Sequence, residues 1–507
     1  DPENANGTST IIFLASVANA NIALDSLVYR GNLNVNGKDT LTVTTSDLGN
    51  TGTGGTLIDT DSFEITINPV NDDPINNVPD EQTVNEDAQL IFSSQTNNSI
   101  TISDVDVVEG DGRVEVKLSV ENGTLTLSDT SDLTISSGDG VSDAEITFSG
   151  TVDKVNQALD GLIYQGNQRG NQDFNGDDTL TITTQDLGNT GTPGELTKED
   201  TVQIKVESIN DAPVNTIPQI QIAVDEDTDL AFTGDNLIQV SDIDVGEGTG
   251  EVEVNLAVNQ GVLTLQNSAN LTFGDNNSDG SANVTFKGQI ADVNSALETL
   301  IYRGNLNANG LDTLTITTSD LGNTGTGGIL TDTDSFEITI NPVNDDPVIA
   351  IPTEQNINED VRLVFSQENK NAINISDVDV NEGTGELEVT LTVAKGKLTL
   401  GNTVGLTFSE GDGLGNDTMT FKGKIENVNQ ALDGLTYQGN QDLNSDDKGE
   451  DTLNIFTSDL GNTGKDNALT DTKAVKINLF AINDAPVNTV PSEQDVNEDA
   501  RLIFSNA

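Results

Sequence analysis

The chain has 507 residues, of which 84 are acidic and 21 are basic, and its formal charge is −63. This charge excludes nucleic acid and anionic membranes as natural partners, because both repel a negative surface. The sequence has no cysteine and no histidine, which excludes disulfides and removes the commonest ligand of transition metals. Hard cations that bind oxygen, above all calcium, are therefore the expected partners.

The length predicts roughly three to four domains rather than one. Residues 1–4 are not part of a basic segment followed by an apolar core, so we expect any export signal to lie outside this sequence. The longest apolar run, 11–17, is interrupted by Ser16 and falls short of the roughly eighteen residues that cross a bilayer. We expect no direct membrane insertion.

The first predicted strand in chain order is 41–45, where apolar residues occupy every second position as in a half-buried strand. The segment recurs at 180–184, 314–318 and 453–457, and the turn sequence Asp-Leu-Gly-Asn-Thr-Gly follows each copy. A closing strand starts at Phe63, and its counterpart starts at Phe336. Each closing strand runs into the phrase Asn-Asp-x-Pro, whose proline predicts a domain boundary.

The phrase Asn-Asp-x-Pro sets the repeat. Its copies start at Asn71, Asn210, Asn344 and Asn483, in steps of 139, 134 and 139 residues, so alternate copies lie 273 residues apart. Such a period is typical of an array in which each repeat is one structural unit. We predict a partial repeat over 1–73, full repeats over 74–212, 213–346 and 347–485, and the start of a further repeat over 486–507.

The incomplete ends allow two interpretations. A sandwich that lacks half of its strands exposes an unpaired strand edge and part of its core. The first interpretation is therefore that the sequence is a part of a longer chain. The alternative is a polymer subunit whose missing strands come from a neighbouring copy.

Within the repeat, segments 114–120 and 123–128 predict a hairpin with Glu-Asn-Gly at its turn. Helical spacing predicts a short helix whose apolar face belongs to the core. Its apolar positions are Val155, Ala158, Leu159 and Leu162, then Val293, Ala296, Leu297 and Leu300, then Val428, Ala431, Leu432 and Leu435. Short, evenly spaced strands with one helical insert favour an all-β fold of antiparallel β-sandwich domains.

Four acidic motifs recur at fixed places in the repeat. They are an early triplet that contains Glu86, Glu226, Glu359 or Glu498, the sequence Ser-Asp-x-Asp-Val, the first residue of the Asp-Leu-Gly turn, and the Asn-Asp of the linker. A single Asp or Asn of this kind would cap a turn, but a four-part set at every junction favours calcium, which takes six to eight oxygens. The segment from Glu109 to Gly112 follows one Asp-x-Asp and is interpreted as a loop, because its spacing does not fit a helix-loop-helix calcium site.

These motifs carry a family resemblance. The end of the unit resembles the end of a cadherin repeat: it has the Asp-Leu-Gly-Asn-Thr-Gly turn, a strand and the Asn-Asp-x-Pro linker. The sequence Ser-Asp-x-Asp-Val resembles the cadherin Asp-x-Asp. The triplet Asn-Glu-Asp stands where cadherins have an early Glu. The whole unit is similar to the cadherin-like repeats of giant bacterial surface adhesins, and the resemblance covers essentially the entire chain. It implies tandem cadherin/Ig-like sandwiches in a linear rod, located outside the cell.

In that family calcium lies between successive repeats, where the early Glu, the linker and the Asp residues of the next repeat bind it. The resemblance implies one complete set of Glu86, Asn210, Asp211, Asp242, Asp244 and Asp320, and another of Glu226, Asn344, Asp345, Asp377, Asp379 and Asp459. It implies partial sets of Asn71, Asp72, Asp104, Asp106 and Asp186, and of Glu359, Asn483 and Asp484. One departure is an Asn-rich loop, such as 34–37, where the family has Asp-Arg-Glu, which implies fewer ions per junction.

The predicted function is a calcium-rigidified structural extender of a bacterial adhesin, which acts in attachment or biofilm. The alternative is a repeat subunit of a self-assembling extracellular filament, sheath or surface layer, in which neighbouring copies are partners as well as adjacent repeats. An enzyme such as a carboxylate-pair glycosidase is disfavoured, because the acidic pairs recur in every repeat whereas an active site is normally unique.

Overall fold

The structure, a computed structural model, describes residues 7–50, 52–166, 174–188, 191–274, 279–322, 325–441, 443, 450–461 and 467–505. The described residues divide into two compact units. The first unit takes its residues from Asp1–Ala212, Asp242–Gly250 and Asp320–Leu330, and the second from Pro213–Ser241, Glu251–Ser319 and Thr331–Ala507. Among these residues, no helix combines the length and the apolar character that crossing a bilayer requires.

The first unit contains one hairpin and one complete sandwich. Helix α1 (Val17–Asp25) precedes the hairpin of β1 (Gly37–Ser46) and β2 (Ile58–Ile67). The sandwich follows as β3 (Ile75–Asn77), β4 (Gln82–Asn85), β5 (Gln89–Phe92), β6 (Thr101–Ser103), β7 (Arg113–Ser119), β8 (Gly123–Thr126), β9 (Thr134–Ser137), β10 (Glu145–Thr151), α2 (Val152–Leu159), β11 (Leu162–Gly166), β12 (Gly176–Gln185) and β13 (Thr197–Glu207). The unit also includes a 3-10 turn at Ile243–Gly246.

Two main sheets enclose the core of this sandwich. The six-stranded sheet has the order β4-β13-β12-β7-β10-β9, the three-stranded sheet has the order β5-β11-β8, and β3 pairs with β6. All neighbours are antiparallel except β4 and β13, which run parallel. Leu118 of β7, Leu125 of β8 and Tyr164 of β11 are fully buried in the core between the sheets.

The second unit contains two further sandwiches. The first of these has β14 (Val214–Thr216), β15 (Ile222–Asp225), β16 (Asp229–Ala231), a 3-10 turn (Gly234–Asn236), β17 (Gln239–Ser241), β18 (Glu251–Ala257), β19 (Gly261–Leu265), β20 (Thr272–Phe273), β21 (Asn283–Gln289), α3 (Ile290–Leu297), β22 (Leu300–Gly304), β23 (Gly310–Ser319) and β24 (Thr331–Asn341). The other has β25 (Val348–Ala350), β26 (Gln355–Asn358), β27 (Leu363–Phe365), β28 (Asn374–Ser376), β29 (Glu386–Thr392), β30 (Gly396–Thr399), β31 (Thr407–Glu410), β32 (Leu414–Asn416), β33 (Thr418–Lys424), α4 (Ile425–Leu432), β34 (Leu435–Gly439), β35 (Glu450–Ser458) and β36 (Thr470–Phe480).

The sheet order of the first sandwich recurs in both. The six-stranded sheets run β15-β24-β23-β18-β21-β20 and β26-β36-β35-β29-β33-β31. The smaller sheets are β16-β22-β19 and β27-β34-β30-β32, and the short pairs are β14-β17 and β25-β28. The parallel pair also recurs, as β15 with β24 and β26 with β36. Each sandwich has its own core, in which Tyr302 and Tyr437 occupy the place of Tyr164.

The predicted all-β fold with one short helix in each full repeat is confirmed. Val155, Ala158 and Leu159 lie in α2 and are fully buried, as are their counterparts in α3 and α4. The prediction is wrong for Leu162, Leu300 and Leu435, which begin the strands after the helices. The predicted repeat bounds and the linear arrangement stay predictions.

The predicted hairpin of 114–120 and 123–128 is wrong. Strand β7 belongs to the six-stranded sheet and β8 to the three-stranded sheet, so the chain crosses from one sheet to the other between them. Asp178 of β12 holds this crossing, because its carboxylate accepts the backbone N–H groups of Glu121 and Asn122 at 3.0 Å each. Alternating burial is the same in facing sheets as in paired strands, so the pattern alone does not separate the two arrangements.

Candidate metal centre

The linker residue Asn210 is held by the segment that follows β23, which contains Asp320 and Thr326. Its backbone N–H donates to the carbonyl of Thr326 at 3.1 Å, and the Thr326 N–H donates to the carbonyl of Ser208 at 3.1 Å. The Asn210 side-chain amide donates to Asp320 Oδ2 at 2.5 Å. Asp320 Oδ1 accepts the N–H of Gly322 at 2.8 Å, which fixes the carboxylate against the linker.

The Asp-x-Asp sequence forms a turn that presents one buried carboxylate to the linker. Asp242 caps the 3-10 turn at Ile243–Gly246, and its Oδ1 accepts the N–H of Asp244 at 3.0 Å. Asp244 is 0% exposed. Its Oδ2 accepts the N–H of Asp211 at 2.5 Å, whereas its Oδ1 has no hydrogen-bond partner among the described residues. The same contact joins Asp106 to Asp72 and Asp379 to Asp345, at 2.6 Å in each case.

The early glutamate has one bound and one unpartnered carboxylate oxygen. Glu86 is 1% exposed, and its Oε1 accepts the N–H of Ile209 at 2.5 Å. Glu226 accepts from Val343 in the same way, and Glu359 accepts from Ile482. The Oε2 atom of each of the three glutamates is buried without a hydrogen-bond partner among the described residues. A buried, unpartnered carboxylate oxygen is costly unless a cation or a donor satisfies it.

Burial and neighbouring charges make these carboxyls harder to ionise. Burial raises the pKa of Glu86, and the charge of Asp244 raises it further. Burial also raises the pKa of Asp377 to about 6, with the charges of Asp379, Asp459 and Asp345 adding to the effect. The pKa values of Asp104, Asp211, Asp242, Glu226 and Asp345 are raised for the same reasons, with burial as the largest cause. A divalent cation would remove this repulsion, so the oxygen-only donor set fits calcium.

The structure brings together both predicted complete sets, which we call the 211 junction and the 345 junction. The 211 junction lies in the first unit and consists of Glu86, Asn210, Asp211, Asp242, Asp244 and Asp320. The 345 junction lies in the second unit, where Asn344 donates to Asp459 at 2.6 Å, and consists of Glu226, Asn344, Asp345, Asp377, Asp379 and Asp459.

The partial sets differ from each other. In the first unit, Asn71 donates to Asp186 at 2.5 Å, so the set of Asn71, Asp72, Asp104, Asp106 and Asp186 is also assembled. Glu359 keeps the pattern of the other early glutamates, but Asn483 and Asp484 are exposed. Positions 189–190, 323–324 and 462–464, which belong to the predicted Asp-Leu-Gly-Asn-Thr-Gly turns, lie outside the described residues.

Sequence reasoning missed Glu247 and Glu382. Carboxylate oxygens of Glu86, Asp244 and Glu247 all lie within 4.8 Å of one another, as do those of Glu226, Asp379 and Glu382. Both glutamates stand three residues after the second Asp of Asp-x-Asp, as does Glu109. That recurrence was the available signal. The segment from Glu109 to Gly112 is a loop, as predicted. The turns at the corresponding places of the next two repeats bring Glu247 and Glu382 to the buried carboxylates.

The fold and the junctions define a class: an all-β protein of tandem sandwich repeats with acidic clusters at its linkers. No family model and no curated protein matches the chain. The chain is similar to extracellular cadherin domains 1–5 of protocadherin gamma B2, with a TM-score of 0.36 and 16% identity over 88% of this chain and 67% of that one.

Two other solved structures are similar in the same way. Domains 3–6 of protocadherin gamma B2 give a TM-score of 0.30 and 15% identity over 88% of this chain and 84% of that one. Domains 22–24 of mouse cadherin-23 give a TM-score of 0.30 and 14% identity over 81% of this chain and 99% of that one. At these values the similarity assigns the chain neither a family nor a function.

Proposed function

We propose that the chain is a calcium-rigidified extracellular repeat array, which acts as a structural extender of a bacterial adhesin in cell attachment or biofilm. The observation that carries this proposal is the buried, unpartnered carboxylate oxygen that Glu86 and Glu226 each place at an acidic junction. The acidic composition and the resemblance of the motifs to adhesin repeats support the location and the biological role.

Calcium supplies the positive charge that each junction lacks. In the 211 junction, Glu86 and the linker residues Asn210 and Asp211 come from one predicted repeat, whereas Asp242, Asp244 and Asp320 come from the next. An ion bound to both groups restricts the hinge between them, because its ligands can no longer separate. Without the ion, the like charges repel and the linker is free to flex. Stiffness is therefore the product of binding.

Calcium titration of the whole chain tests the proposal. We expect calcium to raise the thermal stability and protease resistance and to lengthen the particle measured by small-angle scattering, and a chelator to reverse all three effects. The double variant Asp244→Asn/Asp379→Asn should lose most of the response. Glu337→Gln, on an exposed position of β24, is the matched control and should keep it.

Two outcomes would contradict the proposal. A chain whose length, stability and protease resistance are the same in calcium and in chelator is not a calcium-rigidified array. Imaging the isolated chain in calcium addresses the extender role: separate particles agree with it, and ordered fibres would favour the filament, sheath or surface layer instead.

A further inference from the structure

The same dipeptide, asparagine followed by glycine, stands at the start of three long strands. Each of β1, β12 and β23 begins at a glycine with a φ between +106° and +120°. An asparagine outside the strand precedes each of these glycines. The three pairs are Asn36-Gly37, Asn175-Gly176 and Asn309-Gly310. The left-handed φ accounts for the glycine, but nothing in the strand requires the asparagine.

An asparagine that precedes glycine converts spontaneously to an acid, which is one reason that asparagine is a thermolabile residue. The backbone nitrogen of the glycine attacks the side-chain carbon Cγ of the asparagine and forms a bond to it. The Cγ–Nδ2 bond breaks, and Nδ2 leaves as ammonia with the proton of the glycine nitrogen. Water then opens the cyclic imide to aspartate or isoaspartate. Glycine favours this reaction because it has no Cβ atom to obstruct the approach.

The strand starts leave room for this reaction. At Gly37 and Gly310 an added Cβ atom would meet nothing within 4 Å. The pair Asn122-Gly123 is different, because Gly123 is buried and an added Cβ atom would lie 2.8 Å from the carbonyl oxygen of Gln165. The backbone at Gly123 is therefore confined by its neighbours, and we expect Asn122 to resist the conversion.

A glutamate of the next predicted repeat holds the side-chain amide of two of these asparagines. Asn175 donates to Glu247 Oε1, and Asn309 donates to Glu382 Oε1. Both asparagines are half-buried, whereas Asn36 is exposed. An amide held by a glutamate is not free to turn its Cγ toward the glycine nitrogen, so the hydrogen bond must open before the reaction can start.

Conversion would prevent the hydrogen bond from forming again. An ionised aspartate has only acceptor oxygens, so it cannot donate to the glutamate as the amide does. In the first unit the new charge would also lie beside Glu247, whose carboxylate is within 4.8 Å of those of Glu86 and Asp244. Like charges this close repel each other. An opening of the contact that lasts long enough for the reaction would thereby become permanent.

We propose that Asn175 and Asn309 are sites of spontaneous deamidation, which their hydrogen bonds to Glu247 and Glu382 slow down. While the hydrogen bond is closed the asparagine is protected, and when it opens the asparagine converts and the contact is lost. The result is a slow, one-way increase in negative charge beside both junctions. The inference goes beyond the proposed function and does not depend on bound calcium.

Peptide mapping by mass spectrometry measures the conversion of each asparagine. The full chain is kept in chelator at mildly alkaline pH and sampled over time. We expect exposed Asn36 to convert faster than Asn175 and Asn309, and about tenfold faster than Asn122, whose glycine is confined.

Releasing the amides tests the protective role of the glutamates. Both glutamates are exposed, so their removal does not disturb the core. In Glu247→Ala/Glu382→Ala the rates at Asn175 and Asn309 should rise about threefold or more, toward the rate of a free side chain. Glu109→Ala is the matched control, since Glu109 is exposed at the equivalent position of the first full repeat, and it should change neither rate.

The double variant Asn175→Asp/Asn309→Asp reproduces the product. In chelator it should unfold at a lower temperature than Asn175→Ala/Asn309→Ala, because alanine removes the hydrogen bonds without adding charge. The inference is overturned if Asn175 and Asn309 stay intact in Glu247→Ala/Glu382→Ala, if that variant leaves their rates unchanged, or if the aspartate variant is as stable as the alanine variant. All of these measurements are made in chelator, so none of the outcomes decides the calcium proposal.

Discussion

Asn429 of helix α4 is hydrogen-bonded to both polar backbone groups of Ile375. Its Oδ1 accepts the Ile375 N–H at 2.8 Å, and its Nδ2 donates to the Ile375 carbonyl at 2.8 Å. Ile375 lies in β28, which ends immediately before Asp377. Asn156 holds Ile102 in the same way, and Asn294 holds Val240. The helix therefore positions the strand that leads into the Asp-x-Asp turn.

Asn429→Ala is expected to destabilise the chain by about 1–3 kcal/mol, because it leaves two backbone groups of β28 without their partners. Calcium affinity at the 345 junction should fall as well, since Asp377 and Asp379 lose the support of that strand. Chemical denaturation and calcium titration measure the two effects. Gln430→Ala, at the next and exposed position, should change neither, and an unaltered affinity in Asn429→Ala would contradict the positioning role.

Gly325→Ala is expected to break the backbone hydrogen bonds that join Ser208 and Asn210 of the linker to Thr326. A Cβ atom at Gly325 would lie 2.6 Å from the backbone nitrogen of Asn210, and the residue has a φ of +53°. The clash should cost about 1–3 kcal/mol and weaken calcium binding at the 211 junction. At Gly194 a Cβ atom meets nothing within 4 Å, so Gly194→Ala serves as the control. Equal calcium affinities in the two variants would contradict this prediction.

Tyr302→Phe should lower stability without changing calcium binding. The Tyr302 hydroxyl is buried and donates to Asp312 Oδ2 at 2.9 Å. Asp312 also accepts hydrogen bonds from the backbone N–H groups of Asn259 and Gln260, at 2.8 and 2.9 Å. It therefore stabilises the connection between β18 and β19 rather than a junction. Hydrogen bonds to charged groups contribute about 1.5–3 kcal/mol, and we expect a loss of that size in the free energy of unfolding.

The same pair occurs in an exposed setting. Tyr29 donates to Asp39 at 2.7 Å, but Tyr29 is 39% exposed. Tyr29→Phe should therefore have little effect on denaturation and is the matched control for Tyr302→Phe. A weaker affinity for calcium in Tyr302→Phe would contradict this prediction, because it would show that the pair of Tyr302 and Asp312 influences the junctions.

The folding stability of the cation-free chain should increase as the pH falls from 7 toward 5. The folded pKa of Asp377 is about 6, above the ordinary value of 3.8, so between these values the folded state binds more protons than the unfolded state. Ionisation of Asp377 therefore disfavours folding, and stability in chelator should rise as the pH falls from 7 through 6 toward 5. Calcium affinity should fall over the same range, because protons compete for the carboxylate.

Denaturation in chelator and calcium titration at pH 7.5 and 5.5 measure the two trends. Asp377→Asn should flatten part of the stability profile, since asparagine does not titrate. Stability that decreases between pH 7 and pH 5.5 in chelator would be inconsistent with the burial of these carboxyls.

Local patterns predicted the elements that depend on local sequence. The alternation at 180–184 lies within β12, and the buried residues Val155, Ala158 and Leu159 lie on one side of α2. The helix ends before Leu162 because Gly161 has a φ of +104°, which helical spacing of apolar residues does not reveal. The crossing between β7 and β8 depends on Asp178, a residue far along the chain.

The candidate site shows the same limit. The resemblance of the recurring motifs to a known family implied that Glu86, Asp244 and Asp320 belong to one set. Glu247 was not included, because its position depends on the turn that its N–H makes with the Asp244 carbonyl. The Asn175 side-chain amide donates to Glu247 Oε1. Asn175 belongs to an Asn-rich stretch of the sequence, and nothing in that composition predicts which of its amides reaches a carboxylate.

The parallel pairing of β15 with β24 has a mechanical consequence. Ile222 stands opposite Ile338 and Asp225 opposite Asn341, so the first of these strands enters the six-stranded sheet beside the strand that leaves it. Tension along the chain would pull the start of β15 and the end of β24 in opposite directions along their common axis. The hydrogen bonds of the pair would then be sheared together instead of opening one by one. We expect a repeat with this pairing to resist extension, which would suit the extender role proposed above.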